Sequence, residues 1–336
     1  MLPSSPTSAY SLPLPAQWEH YALRMVSGWV AQPGLPPAYE PWLYQQPEHL
    51  ALQQSPGERL HFFLEEPAEN RTVAQLSVFL SADGTVARSP WQAPFGAVQL
   101  APDLPAAALH ALLTAAETAL RERGVRHLTM RLPAFAYEPT TTARLAEVLR
   151  QRGYAVKLAE INHHLPLHQS FRAGLHPSER RRLLKCARHG LQFEQEPPLL
   201  LPLAYEFLRR CREEKGQELS MTLEQLQTLF RVLPQQVFLF SVRNPAGEWA
   251  ALTVAIRVRK DVLYNFYPAS PLAYNTFSPV VLLNAGLHAF GQASGIRLLD
   301  LGTSTLPEGL NRSLLQFKRH LGGVPGLKLT LEKALY

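Results

Sequence analysis

Tyr267, Ser270, Asp300 and Lys318 are the side chains whose types and positions suit acid–base or electrostatic chemistry. A hydroxyl from Tyr267 or Ser270 could orient an amine or protonate a leaving group. Asp300 could accept a proton from an amine, and could equally hold its own loop through backbone hydrogen bonds. Lys318 stands on a run whose apolar positions are Leu310, Leu314, Phe317 and Leu321, and Asn311 lies seven residues earlier on its face. A fixed ammonium there could neutralise a phosphate or a developing oxyanion. The ordinary alternatives are a solvated helix lysine for Lys318 and core packing for Tyr267.

Phosphate chemistry has its own candidates. Ser278 before Pro279 has the form of a helix N-cap with proline at the first helical position. Free amides at that helix start could receive a phosphate or carboxylate, although capping alone accounts for the pair. Arg180, Arg181, Arg182, Lys185 and Arg188 are the densest basic cluster. Helical spacing puts Arg181, Lys185 and Arg188 on one face, with Leu183, Leu184 and Ala187 on the other. Such a face suits the phosphates of RNA, a nucleotide or a membrane surface, and an ordinary solvated face is the competing reading. No aromatic residues interleave it, which argues against a single-strand stacking platform. Glu160, His163, His164 and His168 could suggest a metal, but neighbours on an extended segment point to opposite faces. They are read as structural, and no metal is expected. The chain has no Gly-x-Ser-x-Gly, His-Glu-x-x-His, Walker loop or dinucleotide fingerprint.

These residues need a strand–loop–helix frame. The pattern predicts a strand over Val262 to Tyr267, a helix from Pro279, a strand over Arg297 to Leu301 and a helix over Gly309 to Leu321. The polar candidates then sit at strand ends, where open α/β sheets bind ligands. Upstream, helical spacing is expected over Gln17 to Val30. Leu60 to Glu65 and Thr72 to Leu80 read as a hairpin pair. Pro105 to Arg123 and Thr142 to Arg152 read as helices, each closed by a glycine. Tyr154 to Leu167 is extended. The second half repeats the plan, with a helix over Pro177 to His189 and a closing strand over Leu327 to Leu335. Two copies of one mixed α/β unit fit, joined near His168.

A chain of 336 residues suits two domains. Its 46% apolar and 18% charged content excludes disordered and fibrous classes. A net charge of +6 favours anionic partners without choosing among them. Cys186 and Cys211 form no disulfide framework and no zinc spacing, so reduced thiols in a cytoplasmic protein are expected. Met1 to Leu14 lacks a basic region and a continuous apolar core, and is not read as a signal peptide. Pro279 to Ala293 is the longest apolar stretch, but Asn284, His288 and Gln292 stripe it every fourth residue. A packed helix is expected there, not a membrane span.

Several short runs share an order with a known family. They are Arg180 to Glu194, Tyr267-x-x-Ser270, Tyr274, Pro279, Leu282, Asp300-Leu-Gly302, Gly309-Leu310, Phe317-Lys318 and Gly322-Gly323, with Ser89-Pro90 and Phe95-Gly96 in the first half. In this order the chain resembles the Gcn5-related N-acetyltransferases (GNAT) and, more specifically, their FemABX-like branch. That resemblance implies an α/β (α+β) fold of two tandem GNAT-like domains, 1–168 and 169–336, each a mixed, mostly antiparallel sheet flanked by helices. It implies transfer of an acyl or aminoacyl group to a small-molecule or peptide amine, with acyl-CoA or aminoacyl-tRNA as donor substrate and no bound cofactor. Lys318 occupies the family's Phe-Lys position. The resemblance assigns Lys318, Tyr267, Ser270 and Asp300 to catalysis, Arg181, Lys185, Arg188, Ser278 and Asn311 to the donor, and Tyr274 and Ser304 to the acceptor. Attack is expected to be direct, without a covalent intermediate. The stretch Ala269 to Val280 lacks the glycine-rich phosphate loop of ordinary acetyl-CoA enzymes. A degenerate pair of domains that binds a ligand or partner, and an RNA-binding module built on the Arg180 to Arg188 helix, are the other classes left open.

Overall fold

The computed structural model describes residues 8–29, 31–306 and 309–336. The expected halves, 1–168 and 169–336, divide differently in space. One compact unit runs to Ala159 and takes back Leu327–Tyr336, and the other is Glu160–Gly326.

The first unit contains strands β1 (Ser8–Leu12) and β2 (Ala22–Ser27), the short helix α1 (Pro47–Leu50), and strands β3 (Arg59–Glu66), β4 (Arg71–Leu80), β5 (Val86–Ser89) and β6 (Val98–Leu100). Helix α2 (Ala106–Glu122), strand β7 (His127–Arg131), helix α3 (Pro139–Gln151) and the start of β8 (Ala155–Pro166) follow. The order of strands is β1-β2-β3-β4-β5-β7, then the last strand of the chain, then β8, with β6 off β4. β3 and β4 form the expected hairpin pair, and β5 runs parallel to β7. Leu109, Leu112, Leu113, Ala116 and Leu120 of α2 pack with Leu60, Phe62, Leu76 and Val78 of the sheet. The helix lies within the expected Pro105 to Arg123, and these positions form its apolar stripe.

The helix expected over Gln17 to Val30 is not formed. Ala16–Trp18 is one 3-10 turn, and β2 pairs antiparallel with both β1 and β3. Leu23 and Met25 enter the main core, while Val26 is buried in a separate cluster with Ala31 and Phe63, a split between faces of period two that fits the sheet. Six residues are too few to separate this period from a helical one, and pairing with β3 decides it. Val30 lies outside the described residues.

The second unit contains the rest of β8 and helices α4 (Phe171–Gly174) and α5 (Pro177–Arg188), strand β9 (Gln192–Glu196), helices α6 (Leu201–Glu213) and α7 (Leu223–Val232), and strands β10 (Val237–Arg243), β11 (Trp249–Arg259) and β12 (Val262–Asn265). Helix α8 (Val280–Ala293), strand β13 (Leu298–Thr303), the small hairpin β14 (Thr305–Leu306) with β15 (Gly309–Leu310), helix α9 (Arg312–His320) and the start of β16 (Val324–Ala334) complete it. Its strand order is β8-β13-β12-β11-β10-β9, antiparallel except for the β12–β13 pair. Val281, Leu283 and Leu287 of α8 pack with Phe240, Ala255, Leu263 and Leu299. Each unit is therefore a mixed, mostly antiparallel sheet flanked by helices. Among the described residues no helix is long and apolar enough to cross a membrane.

The last strand, β16, joins the first unit by pairing antiparallel with β7. A buried ion cluster fastens it there. Glu117 of α2 accepts hydrogen bonds from Arg152 Nε (3.0 Å) and Nη2 (2.9 Å), Tyr154 Oη (3.1 Å) and Lys333 Nζ (2.6 Å). Burial pushes the Glu117 carboxyl up, and the bonds from Arg152 and Lys333 outweigh it, leaving the group below its ordinary value.

Candidate functional site

The site begins where β12 and β13 part. Their parallel register runs from Val262↔Leu298 to Tyr264↔Asp300 and stops there, although β13 continues to Thr303. On the other side of β12, the amides of Phe266 and Tyr267 both donate to the Val254 carbonyl, at 2.9 and 3.2 Å. Two residues against one just past the end of β12 are the pattern of a β-bulge.

Asp300 and Lys318 line the β13 side of this gap. Asp300 is buried and accepts from Asn162 Nδ2 at 2.8 Å and from the Gly302 amide at 2.7 Å. Gly302 has φ +74°, and the Tyr264 ring lies 3.4 Å from where its Cβ would be. Lys318 is only 6% exposed and donates to the carbonyls of Gly302 (2.9 Å) and Thr303 (2.6 Å). The solvated-lysine alternative is therefore wrong. Burial lowers its pKa to about 8, and the nearby Asp300 carboxylate opposes the fall. His163, wholly buried, has no hydrogen-bond partner at either ring nitrogen among the described residues. Burial, with the cations Lys318 and Arg319, lowers its pKa to about 4, so it is a neutral ring at pH 7.

Helix α9 sets Lys318 in place. Asn311 is its N-cap, accepting from the Leu314 amide at 3.0 Å and from Ser313 Oγ at 2.9 Å. That role occupies Oδ1, and the two Nδ2 donors are not part of the cap. At the other end the Gly323 amide donates to the Lys318 carbonyl at 2.9 Å. A Cβ on Gly323 would fall 2.6 Å from that same oxygen, which accounts for the glycine.

The other expected residues are placed as follows. Tyr267 is buried, with its hydroxyl 2.5 Å from Ser220 Oγ. Ser270 Oγ donates to the Ala250 carbonyl at 2.8 Å, a bond within the sheet, so the hydroxyl expected to act in catalysis is committed to structure. The Tyr274 hydroxyl accepts from Asn244 Nδ2 at 3.0 Å, which ties it to the β10–β11 turn. Ser278 does not cap α8. It sits at φ +52°, outside the extended region a capping serine needs, and Pro279 takes the N-cap position. Ser304 is wholly buried, and its Oγ has no partner among the described residues.

The basic helix also differs from expectation. α5 buries Glu179 and Cys186, while Leu184 and Ala187, assigned to the apolar face, are exposed. Arg181 and Arg188 face solvent. Lys185 Nζ donates to the Thr276 carbonyl at 3.2 Å and lies 4.4 Å from the Phe277 ring centroid. The three do not form one free face. The contacts of Lys185 run to the loop before α8, whereas those of Lys318 run to β13.

Residues missed by sequence reasoning complete the cluster. Tyr264 is pushed up by burial, with Asp300, Tyr267 and Glu160 adding to the rise and Arg212 of α6 opposing it. It therefore joins the Asp300–Lys318 group to the Tyr267 group. Asn162 became visible only through the β8–β13 register. The one usable signal was period two within Leu263-Tyr-Asn, which places Tyr264 on the face opposite Leu263.

No protein-family profile and no curated protein matches the chain. Solved structures do. A structure of FemX superposes with a TM-score of 0.68 at 12% identity, over 88% of this chain and 93% of that one. A tandem GNAT protein from the clavulanic acid biosynthesis pathway gives 0.51 at 13%, over 83% of each. L-PGS from Bacillus licheniformis gives 0.50 at 14%, over 77% of this chain and 80% of that one. At such identities the likeness speaks for the fold, and on that ground the chain has the FemABX-like, tandem GNAT fold.

Proposed function

We propose that the second unit transfers an acyl or aminoacyl group from an activated ester to an amine, with Lys318 as the group that meets the developing negative charge. The observation that carries this reading is a buried ammonium, anchored on the carbonyls of Gly302 and Thr303, at the point where two parallel strands part. The likeness to FemX and to a tandem GNAT protein supports the same reaction class.

The amine nitrogen would attack the carbonyl carbon directly, and the carbonyl oxygen would become an oxyanion. Of the three N–H bonds of the Lys318 ammonium, two hold β13, which leaves one for that oxyanion or for the leaving oxygen or sulfur. A pKa near 8 keeps the group charged at neutral pH yet able to release a proton to the leaving group as the C–O or C–S bond breaks, and the neutral lysine so formed takes up the proton that the attacking amine, itself neutral at the start, loses on becoming an amide. Asp300 acts through Lys318 and Gly302 as a positioning residue. It favours the charged lysine and, through the Gly302 amide, fixes the loop whose carbonyl Lys318 grips.

The donor is a CoA thioester or an aminoacyl-tRNA ester, and the test supplies both. Purified protein is offered labelled acyl-CoA esters and charged tRNA with a panel of amines. Turnover with one donor class, reduced about 10²–10³-fold in Lys318→Met, is the expected result. Failure to turn over either class would end the reading, and donor binding without turnover would make the protein a non-catalytic relative.

A further inference from the structure

Among the described residues, Arg212 is a cation for which the fold supplies no carboxylate. Its neighbours on α6 behave differently: Arg209 pairs with Glu206 and Glu213, and Arg210 reaches Glu206 at 3.7 Å. Arg212 turns toward β12. Its Nη1 donates to Gln217 Oε1 at 2.9 Å, and its Nη2 lies 3.5 Å from the Pro268 carbonyl, at the limit of a hydrogen bond. A guanidinium carries five N–H bonds, so most of its capacity is left over. The groups that favour its charge are Tyr267, Cys211 and Tyr264, none of them a carboxylate, while burial works against it. A half-buried cation without an anion carries a desolvation cost, and a site built to receive an anion is one reason to keep it.

The surroundings limit which anion. Tyr267 stacks on Phe266 with ring centroids 4.0 Å apart and planes at 28°, and Tyr264 lies 5.5 Å from Phe266. Only Phe266 and Tyr267 stack, since Tyr264 meets Phe266 at 60°, and both tyrosines favour the charge of the guanidinium. The Tyr267 hydroxyl and Ser220 Oγ, 2.5 Å apart, add a polar edge. Lys215, three residues on, is engaged with the Ser270 carbonyl at 3.2 Å. One planar cation with unused N–H bonds thus stands near a pair of hydroxyls, which matches the two-pronged geometry of a carboxylate.

We propose that Arg212, with Gln217, Ser220, Tyr264 and Tyr267, forms a carboxylate-binding subsite, so that the acceptor is an amino-acid- or peptide-like amine bearing a free carboxylate. The word acceptor rests on the transfer reading above; the subsite itself does not, and it can be tested without any donor. The full chain is titrated by calorimetry with diglycine, with diglycinamide and with inorganic phosphate. Diglycine is expected to bind at least tenfold more tightly than the amide. Arg212→Gln should erase that preference and Lys318→Met should keep it. Equal or absent binding of acid and amide overturns the subsite, as does a preference that survives in Arg212→Gln, or phosphate binding better than diglycine. If Arg212→Gln does not fold, Arg212→Lys keeps the charge and loses the fork, and the acid-to-amide comparison on the unaltered chain decides alone. A normal diglycine preference with no transfer to any amine would sink the transfer reading and leave the subsite standing.

Discussion

Glu117 in the first unit and Lys318 in the second are both buried charges, and they are satisfied in opposite ways. Glu117 receives four charge-assisted or hydroxyl hydrogen bonds, two of its partners being cations from α3's end and β16. Lys318 is given two carbonyl oxygens and keeps its charge at some expense, as its depressed pKa records. A fully compensated buried charge locks structure. A partly compensated one holds strain that a ligand or transition state can relieve. The contrast separates a clasp from a site.

The largest effect should come from breaking the clasp. Glu117→Ala leaves Arg152 and Lys333 without their shared anion and should cost about 3–5 kcal/mol of stability. Urea unfolding measures it, and a change of only a few tenths would show that the cluster does not hold β16. The sign with pH follows from the depressed carboxyl. Its contribution is complete above the unfolded value, roughly 4.3, and is lost as pH falls through the lower folded value. The unaltered protein should therefore lose stability on acidification more steeply than Glu117→Ala.

Lys318→Met should reverse the balance. Transfer falls about 10²–10³-fold, close to 3–4 kcal/mol of transition-state stabilisation, while stability holds or rises because an uncompensated buried cation has gone. A variant that loses transfer and stability together would place Lys318 with Glu117 as a clasp. The pH profile sharpens this. Folding lowers the Lys318 pKa to about 8, so between there and its unfolded value near 10.4 the unfolded chain binds more protons. This group's contribution to stability rises with pH across that window, while activity falls as the ammonium is lost. Opposite slopes in one pH range distinguish a catalytic ammonium from a structural one, and Lys318→Met should show neither.

What could be read without the fold follows the same division. The α2 stripe and the β3–β4 hairpin are local patterns, and both formed where periodicity placed them. Lys318 was singled out through the Phe317-Lys318 pair, but its burial on the Gly302 and Thr303 carbonyls was not readable there. The return of β16 to the first unit was not, because pairing between β7 and β16 is a fact of space and not of local sequence. Arg212 was hidden among Arg209 and Arg210, since only its reach to Gln217 and the Pro268 carbonyl in the folded chain selects the one without a carboxylate. Ser278 misled because a serine before proline has the form of a cap, whereas its φ of +52° comes from the turn that Tyr274 closes by accepting the Ser278 amide.

The smallest expected effect compares two glycines. Gly84 in the first unit has φ +70° with nothing within 4 Å of an added methyl, and Gly302 has φ +74° with the Tyr264 ring at 3.4 Å, an ordinary contact. Alanine at either position meets the same backbone penalty, about 1–2 kcal/mol, and the two variants should unfold within a few tenths of each other. Transfer should separate them. Gly84→Ala leaves the parted strands alone, whereas Gly302→Ala strains the residue whose carbonyl Lys318 grips and whose amide Asp300 holds. A shift of that carbonyl by a fraction of an ångström alters where the ammonium stands, so a several-fold loss of transfer is expected for Gly302→Ala alone. Equal rates in the two variants would mean that the carbonyl anchor does not position Lys318, and that the geometry of β13 beyond Asp300 is as passive as a surface turn.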